Sequence, residues 1–261
     1  MSRKKKPGKN TPLAYIFFSL IIGIILLSFL AKAFLVFKDS KFGDSDTYSI
    51  FLSNKKQYEV MTFYKTDNSV SIIKVEGKIG DIYKFLEIPV SAVYEDAELD
   101  LNKSVSSIST DILFSFPNAK SSVNVFDAIR IFLMSKSINP TDINTDKISY
   151  KQIESERDNI ASIYFSDRKI EDEKLSIEVV NMSQEQGVGS RVARLLTNMG
   201  ASVVLVSTGE NGSSAIYAQE SSYTQKKIGK VLNFPFLKGR KSKIADLTVI
   251  IGTDYDKLSV Y

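Results

Sequence analysis

The stretch SIEVVNMSQEQGVGSRVARLLTNMGASVVLV, residues 176–206, has the clearest local pattern in the chain. Leu175 to Val180 reads as a strand, and Asn181 opens a turn that ends in Gly187 and Gly189. Val188, Val192, Leu195, Leu196 and Met199 then recur at helical spacing, with Gly200 placed as a C-terminal stop. Ser202 to Val206 resumes as a β-branched strand. Further on, a Gly-Glu-Asn-Gly turn (209–212) leads to a short strand, Ala215 to Ala218. Ser221 or Ser222 caps a second helix that runs to Leu232 with Ile228, Val231 and Leu232 inward. A basic loop and a last strand, Leu247 to Ile251, complete the order β-α-β-β-α-β. That order predicts a compact α/β sandwich with its helices on one sheet face.

Upstream the pattern is weaker. Tyr48 to Leu52, Glu59 to Tyr64 and Val70 to Val75 are strand-like, with Asp67-Asn68 as the turn between the last two. Ile79 to Leu86 reads as one or two helical turns ended by Pro89, and residues 95–110 have little periodicity. Val123 to Met134 is a better helix: Val125, Ile129, Phe132 and Leu133 share one face, and Asn124 or Ser122 stands ready to cap it. Acidic residues crowd 151–174, which reads as a connector holding one short strand, Ile160 to Phe165, with a domain boundary near residue 172.

The N-terminal region is unlike the rest. No charge occurs from Thr11 to Ala31, and after Lys32 the apolar run resumes to Phe37. About 20 residues at 1.5 Å each cross a ~30 Å hydrocarbon core, and Lys32 lies where its stem can snorkel outward. Arg3, Lys4, Lys5, Lys6 and Lys9 precede the span, so the N-terminus is expected in the cytoplasm and everything after residue 37 outside. Ala31-Lys32-Ala33 has the form of a signal-peptidase site, with cleavage after Ala33. The run is longer than the roughly 7–15 apolar residues of a signal peptide, so an uncleaved single-pass anchor is expected. The boundaries that follow are a basic arm 1–12, a transmembrane helix 13–37, a linker 38–47, an α/β middle domain 48–150, a connector 151–174 and the C-terminal domain 175–261.

Composition narrows the chemistry. The 261 residues include no Cys, His or Trp, which removes imidazole bases, thiolate nucleophiles, disulfides and Cys-ligated zinc. The formal charge is +4, but without the five arm cations and Lys32 there are 28 basic residues against 30 acidic ones. The excess therefore belongs to the arm, which argues against a nucleic-acid-binding body.

Four features are candidates for a site. Gly187-Val188-Gly189 precedes a helix and could cradle a phosphate, but it lacks the Walker Lys-Ser/Thr and the third Rossmann glycine. A tight turn needing positive φ is the expectation there. Arg191, Arg194 and Asn198 share the face opposite the apolar stripe, where they either grip an anionic group of a wall polymer or lie solvated. Lys226, Lys227, Lys230, Lys238, Arg240, Lys241 and Lys243 form a cationic stretch with no acidic residue between Glu220 and Asp246, fit for an anionic polymer or lipid headgroups or simply solvated. Asp246 and Asp254 stand at opposite ends of a strand, roughly 26 Å apart, so capping roles and no metal are expected of them and of Asp256.

Residues 175–255 resemble the LytR C-terminal domain family of exported bacterial cell-envelope proteins. The resemblance is carried by SIEVVN (176–181), by the Gly187-to-Gly200 helix with Arg-Val-Ala-Arg-Leu-Leu, and by the strand Ala201 to Val206. The short strand at Ile216-Tyr217 and the ending ADLTVIIGTDY (245–255) add to it. Residues 48–143 resemble a degraded form of the LytR-CpsA-Psr domain that often precedes it. That family attaches glycopolymers to peptidoglycan, with Arg and Asp holding a lipid pyrophosphate and magnesium. Here Ser53-Asn54-Lys55 stands where a Gly-x-Asp is expected, and Glu76-Gly77-Lys78 where a Pro-Arg-Asp is expected. No Arg occurs between Arg3 and Arg130.

The span, the resemblance, the missing motifs and the near-neutral body together lead to the expectation of a single-pass envelope protein, non-catalytic and without cofactor, whose C-terminal module binds cell-wall polymer or an envelope partner and no nucleic acid. The ligand contacts are expected at Arg191, Arg194, Lys238, Arg240, Lys241 and Lys243. The alternative is a divergent glycopolymer–peptidoglycan phosphotransferase.

Overall fold

A computed structural model of the chain describes residues 11–43, 45–54, 56–76, 87–115, 119–239 and 241–255. Residues 1–10 of the basic arm, the helical turns expected at 79–86, Lys55, Gly77, Lys78, Arg240 and Asp256 lie outside them. Residues 1–40 and 41–261 form two compact units.

In the first unit, helix α1 runs Thr11–Lys38. Its window Tyr15–Lys38 has a mean hydropathy of 2.7 and no buried residue. Among the described residues it is the helix long and apolar enough to cross a membrane.

The second unit is mixed α/β and is built on two sheets. The first has the order β5-β4-β1-β2-β3-β6. Its strands are β1 Thr47–Ser53, β2 Tyr58–Tyr64, β3 Ser69–Glu76, β4 Ala92–Glu95, β5 Lys120–Ser121 and β6 Ile143–Ser149. β1, β2 and β3 form an antiparallel meander, while β4 joins β1 and β6 joins β3 in parallel. Every residue of β1 is buried, because both faces of this sheet carry a core. Tyr48, Ile50, Leu52, Met61, Phe63 and Val70 point into one, against helices α2 (Val105–Ser115) and α3 (Val125–Ser137). Phe51, Val60, Ile73 and Val75 point into the other, against α4 (Tyr150–Phe165). The two-residue alternation of a strand thus feeds two cores at once.

Several elements differ from what local pattern implied. Ile160 to Phe165 is the end of helix α4, which kinks at Glu156, and a short helix α5 (Arg168–Glu173) follows. Ile160, Ala161 and Phe165 are buried against β3 and β6 at helical spacing, and Asp167 caps α5 by accepting from the Lys169 amide. The expected linker is part of the fold as well: Phe42, Ser45 and Asp46 are buried. Asn124 caps α3 as expected, its side chain accepting from the Phe126 amide. The helix is turned differently, however. It buries Asp127, Ala128, Ile131 and Ser135, and leaves Val125, Ile129 and Leu133 exposed.

The second sheet has the order β10-β9-β11-β7-β8, from β7 (Ser176–Asn181), β8 (Ser202–Thr208), β9 (Ala215–Ala218), β10 (Phe236–Lys238) and β11 (Leu247–Ile251). Helices α6 (Val188–Asn198) and α7 (Tyr223–Leu232) cover it with Val188, Val192, Leu195, Leu196, Ile228 and Leu232. Each buried aliphatic chain of this kind contributes about 1.5–3 kcal/mol. The order is the expected β-α-β-β-α-β, plus the short edge strand β10.

Candidate functional site

The glycine turn before α6 is a backbone device. Gly187 adopts φ +81° at the N-cap, and Gly200 adopts φ +92° where α6 stops, both in the left-handed region that a Cβ disfavours. Gly252 is required for a different reason. A Cβ there would run into the Gly212 carbonyl and the backbone of Ser213. Asp254 accepts from the Ser214 amide at 2.7 Å in the same turn, and that bond holds its carboxyl below the usual range. Asp246 performs a similar task at the other end of β11, accepting from the Ser176 amide at 3.0 Å and its hydroxyl at 2.6 Å. No group of three or more Asp or Glu able to hold a metal ion occurs among the described residues.

The polar face of α6 packs on the middle region. Arg194 Nη1 donates to Glu87 Oε2 at 3.2 Å, and its Nε lies 3.5 Å from Asp158 Oδ1. Asn198 donates its side-chain amide to the Glu87 carbonyl at 3.0 Å. Burial pushes the Glu87 carboxyl up, while the cationic Arg157 and Arg191 pull it down. Of the three residues read on this face, Asn198 is buried, Arg194 is half-buried and Arg191 is exposed. Arg194 and Asn198 are therefore joined to one buried residue of the neighbouring layer.

A second seam lies across α5, α7 and the start of β1. Asp167, buried, accepts from Tyr223 Oη at 2.6 Å and Thr47 Oγ1 at 3.1 Å. Lys227 Nζ lies 3.7 Å from the same carboxylate and donates to the Thr47 carbonyl at 2.8 Å. Tyr223 Oη in turn accepts from the Asp46 amide at 2.7 Å, and Glu173 accepts from the amides of Tyr223 and Thr224, each at 2.8 Å. Burial lowers the Lys227 ammonium to about 8, with Asp167 opposing the shift. The hydrogen bond to Asp167 and, above all, burial push the Tyr223 phenol up. Nothing in the local pattern marks this network, because Lys227 sits inside a run of lysines. Its one signal is position: Lys227 immediately precedes the inward Ile228 on α7.

The cationic stretch is accordingly divided. Lys227 belongs to the interior, whereas Lys226, Lys230, Lys238, Lys241 and Lys243 are exposed. Lys238 ends β10, and Lys241 Nζ stands 4.9 Å over the Tyr217 ring. A cleft of about 290 Å³ opens nearby between Leu175, Ala218, Ser221 and Leu247. Its rim carries the carboxylates of Glu220 and Asp246, which do not suit an anion.

Residues 174–255 match the family described as LytR cell envelope-related transcriptional attenuator, through its LytR_C model. No curated protein matches the chain. Two solved structures share features with it. The transcriptional regulator yvhJ from Bacillus subtilis is 9% identical, with a TM-score of 0.34 over 44% of this chain and 96% of that one. A protein from Listeria innocua is 10% identical, with a TM-score of 0.29 over 40% and 83%. The sheet β7–β11 with α6 and α7 is thus the part of the chain that the LytR_C family matches.

Proposed function

We propose that this is a single-pass, extracytoplasmic cell-envelope protein, non-catalytic, whose C-terminal module binds cell-wall polymer or an envelope partner. The LytR_C match at residues 174–255 carries the reading. Two further observations support it. Helix α1 is long and apolar enough to serve as the anchor, and the arm cations orient it with the N-terminus inside. Exposed Lys238, Lys241 and Lys243, with Arg240 between them in sequence, supply positive charge to a body that is otherwise slightly acidic. Anchoring keeps the module beside the wall, so a weak ionic contact suffices at the resulting effective concentration. Arg194 serves this contact less than the loop does, since it is engaged with Glu87, whereas Arg191 stays exposed.

Three measurements test the proposal. The chain should resist carbonate extraction from membranes, and a reporter fused after Tyr261 should be active only outside the cytoplasm. Solubilised protein should bind purified sacculi at low salt and release as salt rises. Replacing Lys238, Arg240, Lys241 and Lys243 by Gln should abolish that retention. Unchanged retention in the quadruple variant would remove the basic loop from the proposal, and a cytoplasmic C-terminus would refute it entirely.

A further inference from the structure

Strand β8 is the outer strand of the second sheet, and among the described strands it pairs with β7 alone. Its seven residues, SVVLVST (Ser202–Thr208), include no charge and no proline. Val204, Leu205 and Val206 are 49%, 38% and 44% exposed. The other sheet edges are blunted in the ways that keep edge strands from pairing. β5 has two residues, one of them Lys120, and β10 has three and ends in Lys238. β6 carries Asp146 and Lys147. β8 has a bulge instead: Ile177 faces Val203 and Glu178 faces Leu205, so Val204 is the extra residue. Beyond it, Leu205 to Thr208 keep register with Glu178 to Asn181.

The hydrogen bonding fixes which backbone groups are open. The Gly209 amide donates to the Asn181 carbonyl at 3.0 Å, so Gly209 turns its polar groups toward β7. Successive residues of a strand present these groups to alternate sides. Ser207 and Leu205 therefore also bond inward, whereas Val206 and Thr208 direct N–H and C=O away from the sheet. Open backbone groups on an uncharged aliphatic strand are a template for another strand, not for a charged polymer. A second β8 is matched to this one. Turned antiparallel about a two-fold axis at Val206, it sets Val206 opposite its own copy, where the two residues exchange both N–H···O bonds. Leu205 then faces Ser207 on either side of the axis, and no like charges meet.

We infer that two copies of this chain associate through β8 in this antiparallel register, joining two five-stranded sheets across one two-fold axis. The charge-free edge is then covered. Lys238 lies on the opposite edge strand, β10, so the contact leaves the basic loop open to its own ligand.

The absence of cysteine allows a direct test. Full-length T208C, carrying a nitroxide, is held in mild detergent. Residue 208 is two places from the axis, so paired labels stand about four strand residues apart, roughly 14 Å, close enough for dipolar line broadening. Broadening that fades on mixing with unlabelled protein, together with a dimer mass by light scattering, is the expected result. V206K sets two ammonium groups face to face and should weaken the dimer by about tenfold or more, whereas V206T stays β-branched and should keep it. A monomer throughout, with sharp lines at 208, overturns the inference. Broadening between L27C labels in α1 with sharp lines at 208 assigns association to that helix and overturns it too. So does broadening at 208 that V206K leaves unchanged while its far-UV circular dichroism matches wild type. A complex of one copy with a different protein, dissolved by V206K, gives the edge to that protein's strand and likewise overturns the inference.

Discussion

Replacing Asp167 with Ala tests the seam between the middle region and the C-terminal module most sharply. The substitution removes the acceptor of Tyr223 and Thr47, the N-cap of α5, and the counter-charge of Lys227. Lys227 is 6% exposed and Asp167 1%, so the ammonium left behind is almost cut off from water. Breaking a buried ion pair from one side costs about 3–5 kcal/mol, and a lost cap adds about 1 kcal/mol. D167A should therefore lower stability by about 4–6 kcal/mol, which in a unit of this size is a fall in Tm on the order of 10 °C or more. Urea denaturation of the full chain in mild detergent, followed by far-UV circular dichroism, measures it. The double variant D167A/K227M should recover part of the loss, because it removes the unpaired ammonium too. If D167A costs under about 1 kcal/mol, or if the double variant falls by the full sum of the single effects, Lys227 is not paired as described and the reasoning fails.

The remaining predictions are simpler. The folded Lys227 ammonium titrates near 8 against an ordinary 10.5, so between those pH values the unfolded state binds more protons and wild-type stability gains with rising pH. Relative to K227M, that gain should reach about 3 kcal/mol by pH 10.5, and parallel curves for the two proteins in a pH series of urea melts would contradict it. R194A leaves the buried Glu87 carboxylate without its donor, but Arg194 is 36% exposed, so the loss should be about 1 kcal/mol and should largely disappear in R194A/E87Q. G252A forces a Cβ into the Gly212 carbonyl, and a cost above about 2 kcal/mol is expected in the same melts, whereas A218G should leave that turn undisturbed.

Much of the C-terminal module was legible from local pattern. Gly187, Gly200 and the Val188–Met199 stripe are each decided within one turn of their neighbours, so spacing alone places them, and it narrowed the cap of α7 to Ser221 or Ser222, of which the structure takes Ser222. The middle region was less legible. Its sheet is buried on both faces, which erases the alternation of polar and apolar residues that marks a half-exposed strand. Helix α4 failed as a reading because its acidic residues obscured Ile160, Ala161 and Phe165, whose burial depends on β3 and β6.

The amino-acid order by itself determined the apolar α1 and the β-α-β-β-α-β path, both properties of contiguous residues. Only the tertiary structure decided that Lys227 is interior while Lys226 is not, that Arg194 meets Glu87, and that α3 shows its aliphatic stripe to the outside. Each of those depends on a partner far away in sequence: Lys227 on Thr47 and Asp167, Arg194 on Glu87, and α3 on the hold that Lys41 and Phe42 exert through Asp127. Burial of a charge or exposure of an apolar face is settled by what packs against it, and a periodicity of 3.6 residues carries no record of which side that will be.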